Sequence, residues 1–216
     1  MKLEKYGVAG NNYENAELAK GDTYTRLDGS FPPTNLSCKE NPYINELNVS
    51  KYILDFGCGV GRNLPWIMEN TDAKYIGLDP NTTMTGHFWE VQSQQGYDIE
   101  AWKDRVTICN SFDEISSDIK FDYVISTFVL QHLGYRFNVP SMNITDITKA
   151  ILEKTKSGTI FFLIEHDNEE NWIPRWLQEN DINLDVYIRT YKGLIELTDR
   201  DYLTNEGHHL MIWKNK

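Results

Sequence analysis

The stretch Ile53-Leu54-Asp55-Phe56-Gly57-Cys58-Gly59-Val60-Gly61-Arg62-Asn63 decides how this chain is read. A compact run of β-forming side chains passes straight into glycines at alternate positions. Leu64, Ile67 and Met68 then recur at helical spacing, so the order is strand, glycine turn, helix. Alternate glycines let the main chain bend sharply and let a ligand approach without meeting Cβ atoms. Amide groups at such a turn and at the helix start attract a carboxylate or a phosphate. A tight turn with no ligand would satisfy the same residues, and the next strand bears on the choice. Tyr75-Ile76-Gly77-Leu78 ends at Asp79, 24 residues beyond Asp55, close to the offset of roughly 20 at which an acid receives ribose hydroxyls. The competing role for Asp79 is a cap or turn aspartate ahead of Pro80.

Outward from this unit, short apolar runs alternate with amphipathic stretches, the pattern of βαβ units around a mostly parallel sheet. The pattern predicts strands over 52–56, 74–78, 106–109, 121–127, 159–164, 185–189 and 209–213, the last two pairing antiparallel. Helices are predicted over 63–69, from 82 to about 94, over 142–154 and over 172–179, with Ser157-Gly158 breaking the chain before the fifth strand. The fold class is α/β, a doubly wound, mostly parallel seven-stranded sheet. Residues 1–50 are polar, rich in Asn, Gly and Tyr, and carry Pro32-Pro33, so they read as an extension or lid on a domain spanning 51–216.

The chain has 216 residues and a formal net charge of −11, enough for one domain with a real core. Its acidity disfavours a general affinity for nucleic acid or anionic lipid. No apolar run approaches the roughly 18 residues that cross a bilayer, and the start carries no hydrophobic stretch of the signal-peptide kind, which leads to the expectation of a cytoplasmic protein with no membrane partner. Cys38, Cys58 and Cys109 lack CxxC spacing, so neither a disulfide framework nor a metal site is expected. His208-His209 has no third ligand type at metal spacing and is read as structural.

The glycine loop and its acidic partner resemble those of the class I S-adenosylmethionine-dependent methyltransferases, and the likeness covers about residues 50–166. In that family the first motif is an acid, one residue, then Gly-x-Gly-x-Gly, which here is Asp55-Phe56-Gly57-Cys58-Gly59-Val60-Gly61. The resemblance implies a Rossmann-like methyltransferase fold with an antiparallel strand near the C-terminal end. It also implies S-adenosylmethionine as methyl donor, S-adenosylhomocysteine as product, and Asp55, Gly57, Cys58, Gly59 and Asp79 among the donor-binding residues. The third motif usually brings an acid to the adenine amino group, whereas this chain has Asn110-Ser111-Phe112. The Asn110 amide oxygen can accept from that amino group, and the Ser111 NH with the Phe112 ring can line the base, while Asn110 and Ser111 as caps of a short helix is the alternative. The fourth segment, 121–133, resembles that of small-molecule methyltransferases, and Phe128 stands where the family offers a backbone carbonyl to the methionine amino group. The Asp/Asn-Pro-Pro-Tyr/Phe signature of base methylation is missing, which points away from DNA and RNA acceptors.

Methyl transfer from a sulfonium is an in-line displacement, so the site must chiefly align nucleophile, methyl carbon and sulfur and exclude water. Phe128, Gln131 and His132 follow the fourth strand, at the edge where a doubly wound sheet seats its ligand. An oxygen or nitrogen acceptor that loses a proton would find a general base in His132, with an ordinary pKa of about 6.5; a histidine that merely starts the next helix is the alternative. Glu165 and His166 after the fifth strand are secondary candidates for substrate contact. Tyr6, Tyr13, Tyr24 and Arg26 would close an N-terminal lid over the crevice. Two other functions compete with methyl transfer to a small molecule. A nicotinamide-dependent oxidoreductase shares the strand, loop and acid but wants Gly-x-Gly-x-x-Gly rather than strict alternation, and a donor-binding domain without turnover would keep the pocket alone.

Overall fold

The computed structural model describes residues 35–127, 129–130, 144–166, 177–178, 180–190 and 208–216. In chain order the elements are α1 (Ile44–Asn48), β1 (Tyr52–Phe56), α2 (Leu64–Asn70), β2 (Lys74–Leu78), α3 (Thr82–Gly86), α4 (Phe88–Gln94), β3 (Val106–Cys109), β4 (Phe121–Thr127), α5 (Ile144–Glu153), β5 (Thr155–His166), β6 (Val186–Thr190) and β7 (His208–Lys214). The described strands form one seven-stranded sheet in the order β3-β2-β1-β4-β5-β7-β6. The five strands β1 to β5 are mutually parallel, and β7 runs antiparallel to both β5 and β6. This is the doubly wound α/β arrangement expected from the sequence.

Both faces of the central strands are covered, which is why they read as continuous apolar runs rather than as alternations. Successive residues of β1, β4, β5 and β7 divide between two cores. Leu54, Phe56, Val124, Phe161, Leu163, Met211 and Trp213 meet Ile147 and Ile151 of α5 on one face. Ile53, Ile125, Ile160, Phe162, Leu210 and Ile212 share the other face with Leu64, Ile67 and Met68 of α2 and Phe88 of α4. The strand order turns back at β1 and β4, so the ligand-seating crevice of such a sheet lies beyond their carboxyl ends.

Three expectations change. First, the boundary at residue 50 does not separate an extension from the domain. Leu36 and Leu47 are completely buried in the α2-side core. Asn41 pins the segment, its Nδ2 donating 2.7 Å to the Leu36 carbonyl and 3.0 Å to the Tyr123 hydroxyl. Second, the helix expected from 82 to 94 is two helices joined at His87, which closes α3 and opens α4. Asn81 caps α3 by accepting from the amides of Thr83 and Met84. Thr85 Oγ1 bonds back to the carbonyls of Asn81 and Thr82, and Gly86 follows, so side chains of low helix propensity end the first helix after one turn or so. Third, Ser157-Gly158 does not precede β5 but lies inside it. The register with β4 jumps between Phe121↔Thr155 and Tyr123↔Ile160, and Gly158 takes φ +87° at the resulting bulge. The expected helix 172–179 and residues 1–34 lie largely or wholly outside the described residues.

If residues 35–50 belong to the folding unit, Leu47→Ala should destabilise the whole domain by about 2–5 kcal/mol in urea unfolding, in a single cooperative transition. An unchanged midpoint would show that this segment only rests on the surface.

Candidate functional site

The site is built on the turn that leaves β1. The Gly57 amide donates 2.7 Å to the Leu78 carbonyl, the Gly61 amide donates 2.8 Å to Cys58, and the Gly59 amide donates 2.9 Å to Asp79 Oδ2. The end of β1 is therefore tied to the end of β2 through both main chain and side chain. Gly57 has φ +74°, and a Cβ there would lie 2.2 Å from Val129 Cγ2; one at Gly61, with φ +88°, would lie 2.6 Å from the Phe88 ring. Each position is closed to other residues twice over, by backbone angle and by the neighbour pressed against it.

Asp79 faces this turn. Its second oxygen, Oδ1, accepts from the Asn81 amide at 2.8 Å. Burial raises its pKa above the ordinary aspartate value, against the lowering effect of the Asn81 and Gly59 amides. A carboxylate has about four lone-pair directions, and these two bonds use one on each oxygen.

Asp55 is enclosed by polar partners at the base of the turn. It is 1% exposed, with Oδ2 receiving the Tyr75 hydroxyl at 2.7 Å and both oxygens receiving Asn63 Nδ2 at 3.1 and 3.2 Å. It braces the turn from beneath. Burial pushes its carboxyl up to about 6, opposed by donation from Tyr75 and Asn63. Asn63 also reaches Thr127 Oγ1 at 3.4 Å, linking the turn to the end of β4.

The other expected residues divide in the same way. Cys58 is buried, its thiol pushed well above its usual pKa by desolvation, so only its main chain belongs to the turn. The Phe112 ring lies in the core, stacked on Phe56 with centroids 6.1 Å apart. Asn110 spends its Nδ2 on the Asp79 carbonyl at 2.7 Å and on Thr85 Oγ1 at 2.8 Å, so it fastens the end of β3 to that of β2. Ser111 opens the short 3-10 turn Phe112–Glu114 without a side-chain cap bond, while the Glu114 side chain accepts from the Asn110 amide. Phe128, Gln131 and His132, like Tyr6, Tyr13, Tyr24 and Arg26, lie outside the described residues.

Two residues that hold the site carried no readable signal. Gln92 of α4 is completely buried and donates from Nε2 to the Val60 and Gly61 carbonyls at 2.6 and 3.1 Å, yet in sequence it is one polar residue of an amphipathic helix. Tyr75 looked like an ordinary strand aromatic. An acid in the middle of the apolar run 52–56 was the clue that a donor had to meet it.

A glycine turn braced by a buried acid, with a second acid hydrogen-bonded over it from the neighbouring strand, is the frame on which comparison with known proteins bears. A methyltransferase-domain model matches residues 38–209. The chain belongs to the methyltransferase-domain family. This is the class I, S-adenosylmethionine-dependent type that the Gly57–Gly61 motif resembles, and membership sets aside the nicotinamide reading. Among solved structures, magnesium protoporphyrin IX methyltransferase from Synechocystis PCC 6803 with bound SAM is 16% identical, with TM-score 0.53 and 80% of this chain and 73% of that one covered. The O-methyltransferase StiE O-MT is 14% identical, with TM-score 0.55 and coverage of 78% and 69%. The [4+2]-cyclase SpnF is 13% identical, with TM-score 0.57 and coverage of 78% and 76%. At these identities the likeness is one of fold. No curated protein matches the sequence.

The raised pKa of Asp55 has a testable sign. Between about pH 4 and 6 the native methyltransferase holds a proton that the unfolded chain has released, so this group's contribution to stability falls as pH rises through that window. Asp55→Asn should therefore gain stability relative to wild type between pH 4 and pH 7, by up to about 3 kcal/mol. Parallel denaturant curves showing a pH-independent difference would refute the assignment.

Proposed function

We propose that this methyltransferase moves a methyl group from S-adenosylmethionine to an oxygen or nitrogen of a small-molecule acceptor. The observation that carries the donor site is Asp79, held over the glycine turn by Gly59 and Asn81. One lone pair remains on each oxygen for the two ribose hydroxyls. The Gly57–Gly61 turn would seat the donor's carboxylate end. The Asn110–Ser111 edge, with the Asn110 side chain fixed by the Asp79 carbonyl and Thr85, would flank the adenine. Phe128, by resemblance, would receive the methionine amino group.

The bound donor supplies an electrophilic methyl on a positively charged sulfur. The protein's share is to bring the acceptor's lone pair into line behind that methyl and to keep water out. As the new bond forms, the C–S bond breaks and its electron pair returns to sulfur. The acceptor's proton would pass to His132. Support for a small acceptor comes from the net charge of −11, which disfavours polyanions, and from the missing base-methylation signature. The chain's likeness to a [4+2]-cyclase fold gives one specific reason to test turnover as well as binding.

Calorimetry should show binding of S-adenosylhomocysteine and none of nicotinamide nucleotides. Asp79→Ala should weaken the former by roughly 10–100-fold, the worth of hydrogen bonds to a charged group, with the circular dichroism spectrum unchanged. Incubation with S-adenosylmethionine and a panel of hydroxyl and amine metabolites should then yield a product heavier by one methyl. Unaltered affinity in Asp79→Ala would mean that the ribose lies elsewhere.

A further inference from the structure

We propose that Glu165 is a positioning residue that sets the wall of the donor pocket opposite Asp79, an inference resting on the donor site described above. Glu165 stands at the carboxyl end of β5, one residue beyond the Thr127↔Ile164 pair that joins β5 to the end of β4. By strand parity it continues the row of Phe161 and Leu163 toward the α5-side core. Where packing alone would call for another apolar residue, the chain places a carboxyl group with no exposed surface. Burying such a group is costly unless it is matched by donors.

Two of its partners are consecutive main-chain amides. Glu165 Oε1 accepts from Val129 at 3.0 Å and from Leu130 at 2.9 Å. The same Val129 presses its methyl groups into the space that a Cβ on Gly57 would occupy. A continuous chain of contacts therefore runs from Glu165 through the Val129 main chain and side chain to the first glycine of the turn. On its other side Glu165 is the register partner of His209 in β7. His209 is itself buried, with Nδ1 2.8 Å from the Tyr187 hydroxyl and its ring stacked on Tyr187 of β6. The carboxyl thus sits at the inner end of a polar row crossing three strands.

The role needs an acceptor at the reach of a glutamate. Glu165→Gln keeps such an oxygen and should bind S-adenosylhomocysteine within about threefold of wild type, whereas Glu165→Asp, one methylene short, and Glu165→Ala should each lose about tenfold or more. Amide exchange at Val129 and Leu130 should quicken in the Asp and Ala variants and stay slow in the Gln variant. Ile212→Ala, in the core of the opposite face, serves as the control, lowering stability without moving affinity. If wild type fails to bind the homocysteine product, the donor reading falls and this inference with it. If wild type binds and Glu165→Asp binds equally well, with amide exchange unchanged, the donor reading stands and Glu165 has no positioning role.

Discussion

The hydrogen bond from the Gly59 amide to Asp79 is the constraint on which the site depends. It crosses from one strand end to the next and so fixes how far the glycine turn stands from the acid. Everything around it serves to hold that separation. Asp55, Asn63 and Tyr75 fill the space beneath the turn with a closed polar cluster, and Gln92 ties its outer carbonyls to α4. Val129 and Phe88 press on it from either side. A main-chain bend made of glycines has little intrinsic preference for one shape. Here its shape is imposed from outside, by partners on β1, β2 and α4 and in the segment after β4, which is what a preformed binding site requires.

Much of the fold was legible because β1 to β5 are parallel and the central strands are covered on both faces. Such strands appear as unbroken apolar runs, and 52–56, 74–78, 106–109 and 121–127 were read with the bounds the structure gives them. The errors fell where local chemistry outweighs periodicity. The threonines and Gly86 of 82–86 interrupt a helix whose apolar spacing runs on. Gly158, read as a stop, is a bulge within a longer strand. The polar composition of residues 35–50 concealed two leucines that are completely buried.

In the site itself, the turn and Asp79 could be found because their spacing is short and repeats a known pattern. The supports could not. Gln92 meets Val60 across 32 residues and Glu165 meets Leu130 across 35, separations at which one sequence holds no pairing information. Phe112 and Asn110 show the reverse case. Their position after β3 was legible, but whether a side chain packs in the core, as the Phe112 ring does, or bonds across strand ends, as Asn110 does, follows from packing rather than from order along the chain.

The placement of β7 between β5 and β6 bears on how such a chain is made. The last strand in sequence is an interior strand, so β5 and β6 cannot join until residues 208–214 have left the ribosome. Until then β5 offers an open, strongly apolar edge, Ile160-Phe161-Phe162-Leu163-Ile164, of the kind that recruits strands from other chains. A nascent chain stalled or cut before His208 would thus be exposed to intermolecular β-pairing, even though its glycine turn and Asp79 were already synthesised.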